Sequence, residues 1–430
     1  MRKSFIAIFV ALSALVACNK DNASLIQVQE DSVVSEVIPM EEAMANLEEF
    51  LSSYTNVTRA VKTRNIADAE VFTFGPNTVK TKSDELNLPD TLMYVVNFAD
   101  DNGFAILSAN RRLLEDVYCV TESGSVTLTD LTKAYNAILN RAALTTRSSN
   151  DDDSFTSIGI DVVPQMILSA MVLEYQLGDL IEETDHVETR TSNQEYGPWL
   201  DTKWKQKGPF NDLIDQTPEN TDGDVDWPCG CTTIAVAQIV NYVRLPVNPV
   251  FNGVTIDWDL LSTVYRYDNY TNAGSAEAQR QAANFLYTLG SADYCATEYG
   301  KTSSGADAMD AKRAFMKVGF KNLNRRIGCV NADKKRITEH IQNRKPIWMS
   351  GFTKGDGSDN VGHAWVVDGV MGNYFHINWG WNGECDGYFT KGVFCTIPAA
   401  FYDEKDLDRN PHPGNLYNFE WTYRYLTYDL

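Results

Sequence analysis

One cysteine stands at a position suited to a nucleophile. Cys231 directly follows Gly230 and begins a predicted helix that runs to Val243 and is stopped by Pro246. A helix N-terminus carries unpaired N–H groups and a partial positive charge, and both stabilise a thiolate. We therefore expect a lowered pKa for this thiol, and N–H groups that help to bind an oxyanion. On position alone, a small buried cysteine without chemistry is an equal alternative.

The base that such a thiol needs is best supplied by one of the five histidines. Four of them lie in polar, charged or mid-strand positions: His186, His340, His376 and His412. His363 differs, because it follows Gly362, where backbone and ligand can come close, and begins a predicted strand. It lies 132 residues after Cys231, within the roughly 130–150 residues that separate cysteine and histidine in papain-type sites.

Two more side chains would complete such a site. Asn378 follows in a strand predicted to pair with that of His363 through a hairpin at residues 371–373. The pairing brings both to one end of the hairpin, where Asn378 could orient the imidazole and Trp379 could shield the bond from water. Upstream, Gln206 in WKQKGPFN could donate to an oxyanion. An exposed surface glutamine is the alternative that the residues alone favour.

The elements that must position these residues follow from hydrophobic spacing. After the cysteine helix, helices are predicted over 282–289 and 308–318, and strands over 347–352, 364–370 and 374–379. This order indicates the α+β class. A smaller α+β unit precedes it, with helices over 40–54 and 131–143 and strands over 92–98 and 104–107. Asp130 is predicted to cap the second of those helices.

Composition limits the possible functions. The chain has 430 residues, 43% of them hydrophobic and 22% charged, which is typical of a globular protein with two or three domains. A net charge of -21 argues against nucleic acid or an anionic membrane surface as the main partner. Cysteine and histidine nowhere show zinc spacing, so no metal and no cofactor is expected.

The first residues indicate export. Arg2 and Lys3 precede an apolar run that ends at Cys18, in the pattern of a secretory signal. The segment LVAC resembles a bacterial lipobox, which would make Cys18 the lipidated first residue of the mature chain and its membrane anchor. A plain signal peptide is the alternative. Of the eight cysteines, seven then remain, and their pairing stays open.

Four segments together resemble the streptopain family of cysteine peptidases in its Bacteroidetes lipoprotein form: WKQKGPFN, GCTTIAVAQIVNY, GHAWVVDG and YFHINWGWNGECDGYF. The resemblance implies a papain-like fold, in which a helical part carries the nucleophile and an antiparallel sheet carries histidine and asparagine. It implies Cys231 as nucleophile, His363 as proton acceptor, Asn378 as the orienting residue and Gln206 in the oxyanion hole. It also implies substrate contacts at three positions: Gly362, Ser304 and Trp379.

The segment from Val95 to Leu114 resembles the family's inhibitory, Spi-like propeptide. The predicted order is therefore a signal peptide (1–17), a tether (18–40), the propeptide (41–143), a linker (144–195) and the catalytic domain (196–430). The linker is read as accessible to proteases, with an amphipathic helix over 164–180. The chain's partners would be protein substrates, and its own propeptide as an intramolecular inhibitor.

The sequence also predicts where the protein is located, and it leaves two rival functions open. The protein is expected at the outer membrane, at the cell surface or in the periplasm, and release of the mature form is left open. One rival is an amidase or transglutaminase-like enzyme that uses the same cysteine and histidine. The other is a surface-binding lipoprotein without catalysis. The chain departs from the family at Cys229, at Thr232-Thr233 and at Asn382, without losing a chemical group.

Overall fold

A single large antiparallel sheet organises the protein. The computed structural model describes residues 35–54, 64–74, 88–140, 162–177, 194–214, 226–301, 303–327, 331–353, 362–394 and 421–430. Residues 36–430 form one compact unit. The strands are β1 (Ile66–Thr73), β2 (Thr91–Phe98), β3 (Phe104–Ser108), β4 (Val117–Thr121), β5 (Glu195–Tyr196), β6 (Val250–Phe251), β7 (Val254–Thr255), β8 (Lys321–Ile327), β9 (Ile347–Thr353), β10 (Gly362–Met371), β11 (Tyr374–Asn378), β12 (Gly387–Thr390) and β13 (Trp421–Asp429). The helices are α1 (Met40–Tyr54), α2 (Leu128–Asn140), α3 (Val162–Leu177), α4 (Cys231–Val243), α5 (Trp258–Leu261), α6 (Ala276–Gly290), α7 (Ala308–Val318), α8 (Asn331–Gln342) and α9 (Lys391–Phe394).

The sheet joins two parts of the chain. Its strand order is β1-β2-β3-β4-β12-β11-β10-β9-β13-β8, with β5 paired to the end of β10. The first four strands belong to what we call the N-terminal part (residues 35–140), and the others to the C-terminal part (residues 194–430). The two parts meet where β4 pairs with β12, with Val120 opposite Tyr388. The predicted α+β class, with an antiparallel sheet preceded by a small α+β unit, is confirmed.

Alternating side chains place different cores on the two faces of the sheet. On β9 and β10, Trp348 and Val366 pack on one face with the helices α4, α6 and α7. Their neighbours Met349 and Trp365 pack on the other face, in a core that also contains α3 and one side of the N-terminal strands. The helix α4 and the core around Trp365 therefore lie on opposite faces of β10.

The helix α3 corrects the predicted linker. Residues 162–175 are all buried, so the helix is not amphipathic, and this stretch is not open to proteases. A helix that is apolar on all sides belongs in a core. Ser169 accepts a hydrogen bond from the indole of Trp421, and Glu174 accepts bonds from Tyr118 and from the backbone of Leu114. The helix thus packs between the two parts of the protein.

The start of α2 also differs from the prediction. The helix begins at Leu128, and Thr127 caps it: the Thr127 hydroxyl accepts a bond from the Asp130 backbone, while the Asp130 carboxylate accepts one from the Thr127 backbone. This reciprocal pair is a capping box, in which Asp130 lies inside the first turn. The prediction that Asp130 is the cap was wrong because Thr127 already supplies that oxygen one turn earlier.

Several predictions concern residues outside the described ranges. They include Cys18, the signal peptide, most of the tether, and the linker on both sides of α3. The domain boundaries therefore stay predictions. Among the helices that the structure describes, none combines the length and the apolar composition needed to cross a bilayer.

Candidate active site

The local backbone places Cys231 at the tip of α4. Gly230 precedes the helix with φ of 90°, a conformation that side chains rarely adopt. A Cβ atom there would lie 3.1 Å from the Thr297 side chain and 3.3 Å from the carbonyl oxygen of Ser304. Only glycine therefore lets the segment before the nucleophile pack this closely against the loop at 297–306.

Thr232 and Thr233, which depart from the family pattern, stabilise the packing of α4 against the loop at 297–306. The Thr232 hydroxyl donates to the carbonyl of Ala306 over 2.7 Å, and the hydroxyls of Thr233 and Thr297 are 2.6 Å apart. Both threonines are buried, and their hydroxyls are satisfied. They connect the first turn of α4 to the loop that carries Ser304.

Asn382, which also departs from the family pattern, is explained by its backbone conformation. Its φ is 61°, in the left-handed region that glycine favours and that asparagine tolerates better than most residues. Its backbone N–H donates to the carbonyl of Trp204 over 3.0 Å. The substitution of asparagine for glycine therefore keeps the turn.

The Cys231 thiol lies beside the strand that carries His363. Burial raises the pKa of this thiol, while the backbone N–H groups of Ala364 and Thr232 act to lower it. Ala364 directly follows His363, so the sulfur lies against the end of β10. The expected lowering of the thiol pKa is wrong for the intact chain, because the cost of burying a thiolate exceeds the stabilisation from the helix end.

His363 lies in an aromatic cage and is only 3% exposed. Its ring centroid is 4.5 Å from that of Trp381, 6.0 Å from that of Trp379 and 6.3 Å from that of Trp365. Burial lowers the pKa of His363 to about 4, although a hydrogen bond to the Trp379 carbonyl acts to raise it. That bond joins Nε2 to the carbonyl oxygen over 2.8 Å. The imidazole is therefore neutral near pH 7.

Asn378 does not orient this imidazole. Its Oδ1 accepts hydrogen bonds from Gln238 on α4 and from the backbone of Gly380, and its amide donates to the carbonyl of Thr202. The reason is the register: Asn378 lies opposite Val366, so it shares the α4 face of the sheet, while His363 lies on the other face. The prediction of a His363–Asn378 bond is therefore corrected, and the backbone carbonyl of Trp379 takes that place.

Gln206 lies next to the segment that leads into α4. Its carbonyl accepts a hydrogen bond from the backbone of Cys229 over 2.9 Å, which places it next to the segment leading into α4. The preceding residue, Lys205, forms a backbone bridge with Trp381, so this segment is also connected to the loop that carries the tryptophans. Gln206 is half-buried, and its side-chain amide has no hydrogen bond to another described residue. An amide placed in this way can donate to an oxyanion.

The three residues predicted to contact a substrate differ in their burial and in their contacts. Gly362 is half-buried at the start of β10, opposite Phe352. Ser304 is buried, and its hydroxyl accepts a hydrogen bond from the backbone of Gly300. Trp379 is buried beneath the imidazole, with its indole donating to the Cys385 carbonyl, so it supports His363 and does not face a substrate. The roles of Gly362 and Ser304 stay predictions.

Trp381 is the site residue that the sequence reading missed. It is half-buried, its indole is stacked on Trp379 at 5.3 Å, and it packs against the His363 ring. The signal was present in the spacing, because the two tryptophans of Trp379-Gly380-Trp381 are two residues apart and can share a face. This side chain covers the His363 imidazole from the outside.

The cysteines that the structure describes are all free: Cys119, Cys229, Cys231, Cys295 and Cys385. Cys229 is fully buried two residues before Cys231, and burial raises the pKa of its thiol far above the ordinary value. It forms no disulfide with Cys231. Within the described ranges, histidine, cysteine, aspartate and glutamate form no group of three that could hold a metal ion.

Comparisons with known proteins match the part of the chain that contains these residues. Residues 204–389 match the sequence model of the Peptidase C10 family. Streptopain of Streptococcus pyogenes is 26% identical over 223 residues, which cover 44% of this chain and 54% of streptopain. The thiol protease/hemagglutinin PrtT of Porphyromonas gingivalis is 25% identical over 207 residues, 43% of this chain and 22% of that protein. The chain thus spans about half the length of streptopain.

Among solved structures, a fragment of Prevotella intermedia prointerpain A covers 83% of this chain and 98% of that chain, with a TM-score of 0.48 and 19% identity. Active interpain A from the same organism covers 49% of this chain and 89% of that chain, with a TM-score of 0.39 and 23% identity. The sequence matches confirm the resemblance drawn from the four motifs. Residues 204–389, which contain Gln206, Cys231 and His363, therefore match the Peptidase C10 family model and are similar in sequence to streptopain.

Proposed function

We propose that the chain is the latent precursor of an exported cysteine endopeptidase, with Cys231 as nucleophile and His363 as its base. One observation carries the proposal. The thiol at the N-terminus of α4 lies near the backbone of Ala364, which directly follows His363 close to the start of β10. The C10 family match covers both residues.

The proposed reaction is acyl transfer. The Cys231 thiol gives its proton to the His363 imidazole, and the thiolate attacks the carbonyl carbon of a peptide bond. The Gln206 amide and the Cys231 backbone N–H donate to the resulting oxyanion. The imidazolium returns the proton to the leaving amine, and the neutral ring then takes a proton from the water that hydrolyses the thioester. No redox step is involved.

The intact chain holds this pair in a resting state. Burial raises the pKa of the Cys231 thiol and lowers that of His363 to about 4, so both groups are neutral at pH 7. The imidazole is bonded to the Trp379 carbonyl and packed against Trp381, on the sheet face opposite α4. A productive pair therefore requires the ring to leave this cage and face the sulfur. This requirement supports a role of the N-terminal part as an inhibitor.

Export and lipid attachment are part of the proposal. They are supported by the signal-like first residues and by the lipobox at Cys18. Incorporation of labelled fatty acid into the wild type, but not into Cys18→Ala, is the expected result. Equal labelling of both proteins would contradict the lipid anchor.

The catalytic assignment is tested with residues 19–430. The wild type should shorten by about the length of the N-terminal part and then degrade casein, whereas Cys231→Ala should do neither. Cys229→Ala is the matched control, because it removes a neighbouring buried thiol and should retain activity. Thermal melting checks that both variants fold.

The experiment also separates the rival functions. Activity of Cys231→Ala on casein would contradict the role of the nucleophile. Hydrolysis of peptidoglycan amides without casein cleavage would indicate an amidase. If an outside protease performs the maturation, both proteins shorten, but only the wild type then degrades casein.

A further inference from the structure

A buried carboxylate crosses the junction between the two parts of the protein. Glu122 follows β4, and its carboxylate accepts a hydrogen bond from Lys203 over 2.9 Å and one from the Tyr267 hydroxyl over 3.0 Å. His376 lies 3.4 Å away on its other side. The side chains of Glu122, Lys203 and His376 are only 11%, 7% and 3% exposed. All three partners of Glu122 come from the C-terminal part.

The pocket is built for a negative charge. Burial alone would raise the pKa of Glu122, but Lys203 and His376 hold it well below the ordinary value. The ring of Tyr267 lies 4.4 Å from the Lys203 ammonium, which adds a cation–π contact. On its far side, His376 donates through Nδ1 to Asp368 over 2.6 Å. Because a buried cation without a partner is costly, the pocket requires an anion.

The same residues of the N-terminal part hold the loop at residues 379–386. The backbone N–H of Glu122 donates to the carbonyl of Asp386 over 2.7 Å, and the Ser123 hydroxyl donates to that of Gly383 over 2.8 Å. Gly383 also packs against the Lys203 side chain. The N-terminal part therefore contacts this loop through side chain and backbone together.

The other end of this loop holds the catalytic imidazole. The Asp386 carboxylate accepts a hydrogen bond from the Trp379 backbone N–H over 2.8 Å, and the Trp379 carbonyl accepts the bond from His363. Burial raises the pKa of Asp386 to about 7, while Lys203 acts to lower it. A continuous set of contacts thus leads from Glu122 through the loop to His363.

We propose that Lys203, Tyr267 and His376 form a carboxylate-binding site whose occupant is Glu122 of the chain's own N-terminal part, and that this contact fixes the 379–386 loop in the arrangement that cages His363. The link to latency rests on the proposed peptidase function. The binding site and its effect on the loop do not. Removal of the N-terminal part withdraws the carboxylate, and the loop and the imidazole are then free to rearrange.

The test uses residues 19–430 carrying Cys231→Ala, so that no maturation occurs and no activity is needed. Hydrogen–deuterium exchange is compared for amides of the 379–386 loop and of the β4–β12 pairing. Glu122→Gln keeps the shape and removes the charge, so exchange of these amides should be at least about tenfold faster, since a broken buried ion pair is strongly destabilising. Unchanged exchange would overturn the proposal.

Glu115→Gln is the matched control. Glu115 also bonds across the junction, to Asn373, but this contact is exposed, so exchange should change less than about twofold. Equal acceleration in both variants would mean general loosening of the junction and would also overturn the proposal. If Glu122→Gln does not fold, Glu122→Asp decides, because it keeps the charge but withdraws it by one methylene. Exchange should then rise in the same loop, and no rise overturns the proposal.

The consequence for activity is measured separately with Cys231 intact. Glu122→Gln should shorten faster than the wild type, and Glu115→Gln at the wild-type rate. A wild type that never cleaves casein would contradict the peptidase function and leave the exchange result standing. An active wild type with unaltered exchange in Glu122→Gln would contradict only the carboxylate site.

Discussion

Two buried histidines lie on neighbouring strands of one sheet, and their surroundings shift their pKa values in opposite directions. His363 on β10 is enclosed by tryptophans, and burial lowers its pKa to about 4. His376 on β11 is equally buried but lies between Asp368 and Glu122. Burial would lower the pKa of His376 too, yet the two carboxylates raise it to about 10.

The difference shows that burial alone does not decide the charge of a histidine. Aromatic rings offer the imidazolium no anionic partner strong enough to replace water, so His363 stays neutral and can accept a proton. Two carboxylates stabilise the imidazolium of His376, which makes it part of a charged network. His376, which the sequence analysis placed in the middle of a strand, is therefore also the histidine that contacts the Glu122 carboxylate of the N-terminal part.

The largest expected effect concerns the neutral histidine. His363→Ala should lower kcat/KM for casein by roughly a thousandfold or more, because both the proton transfer and the activation of the thiol are lost. The folded structure should remain, because the ring makes one hydrogen bond in a core that other side chains fill. Steady-state kinetics measure the effect after an added protease has removed the N-terminal part from wild type and variant alike, because the variant should not mature by itself.

His340→Ala is the control for that measurement. His340 is half-buried on α8, and its ring bonds the carbonyl of Arg336 in its own helix. Its removal should leave kcat/KM within about threefold of the wild type, since exposed and half-exposed contacts contribute little. Similar losses in both variants would show that His363 has no special role.

The charged histidine should matter for stability. His376→Gln leaves Asp368 buried without its cation, and we expect the free energy of unfolding to fall by about 3–5 kcal/mol. The pKa of His376 in the folded protein is about 10, above its value near 6.5 in the unfolded chain. The stabilisation is therefore complete below about pH 6.5 and disappears as the pH rises through about 10.

Urea unfolding of the Cys231→Ala chain measures this difference. The free energy of unfolding of the chain that retains His376 should fall between pH 6.5 and pH 10. That of the His376→Gln variant should fall much less over the same interval. Equal pH dependence of the two proteins would contradict the charged state of His376. The His340→Ala variant again serves as the control for the loss of a histidine elsewhere.

The last expected effect is a change in thiol reactivity. Because burial raises the pKa of Cys231 in the intact chain, its alkylation by iodoacetamide should slow about tenfold for each pH unit below 9. After removal of the N-terminal part, a thiolate–imidazolium pair should keep the rate high down to about pH 6. Mass spectrometry of cut and uncut chains resolves the two rates. If the alkylation rates of cut and uncut chains depend on pH in the same way, the result would contradict the proposal that a neutral Cys231 and a neutral His363 keep the intact chain latent.

Much of the site could be read from short stretches of sequence. Helix α1 begins and ends at the residues predicted for it, and β2, β3 and β11 lie within a residue or two of their predictions. Cys231 at the start of a helix and His363 at the start of a strand were also read correctly. These features depend on hydrophobic period, turn residues and helix ends, all of which are local in the chain.

Strands β4 and β13 were not predicted from the sequence, although both are rich in β-branched and aromatic residues. Strands β1 and β8 were not predicted either, and they lack a local signal because they are mostly exposed and carry charged side chains. Each forms because a neighbouring strand offers a free edge: β1 pairs with β2, and β8 pairs with β13. Pairing partners distant in sequence decided these strands.

The sequence by itself determined which residues can do chemistry here, because a thiol, an imidazole and an amide carry their reactivity with them. Only the tertiary structure decided how they are used. The register of β10 and β11 sends Asn378 to α4 and leaves the Trp379 carbonyl to hold His363. The pKa of each buried group follows from neighbours contributed by distant segments, since electrostatic interactions act through space and not along the chain.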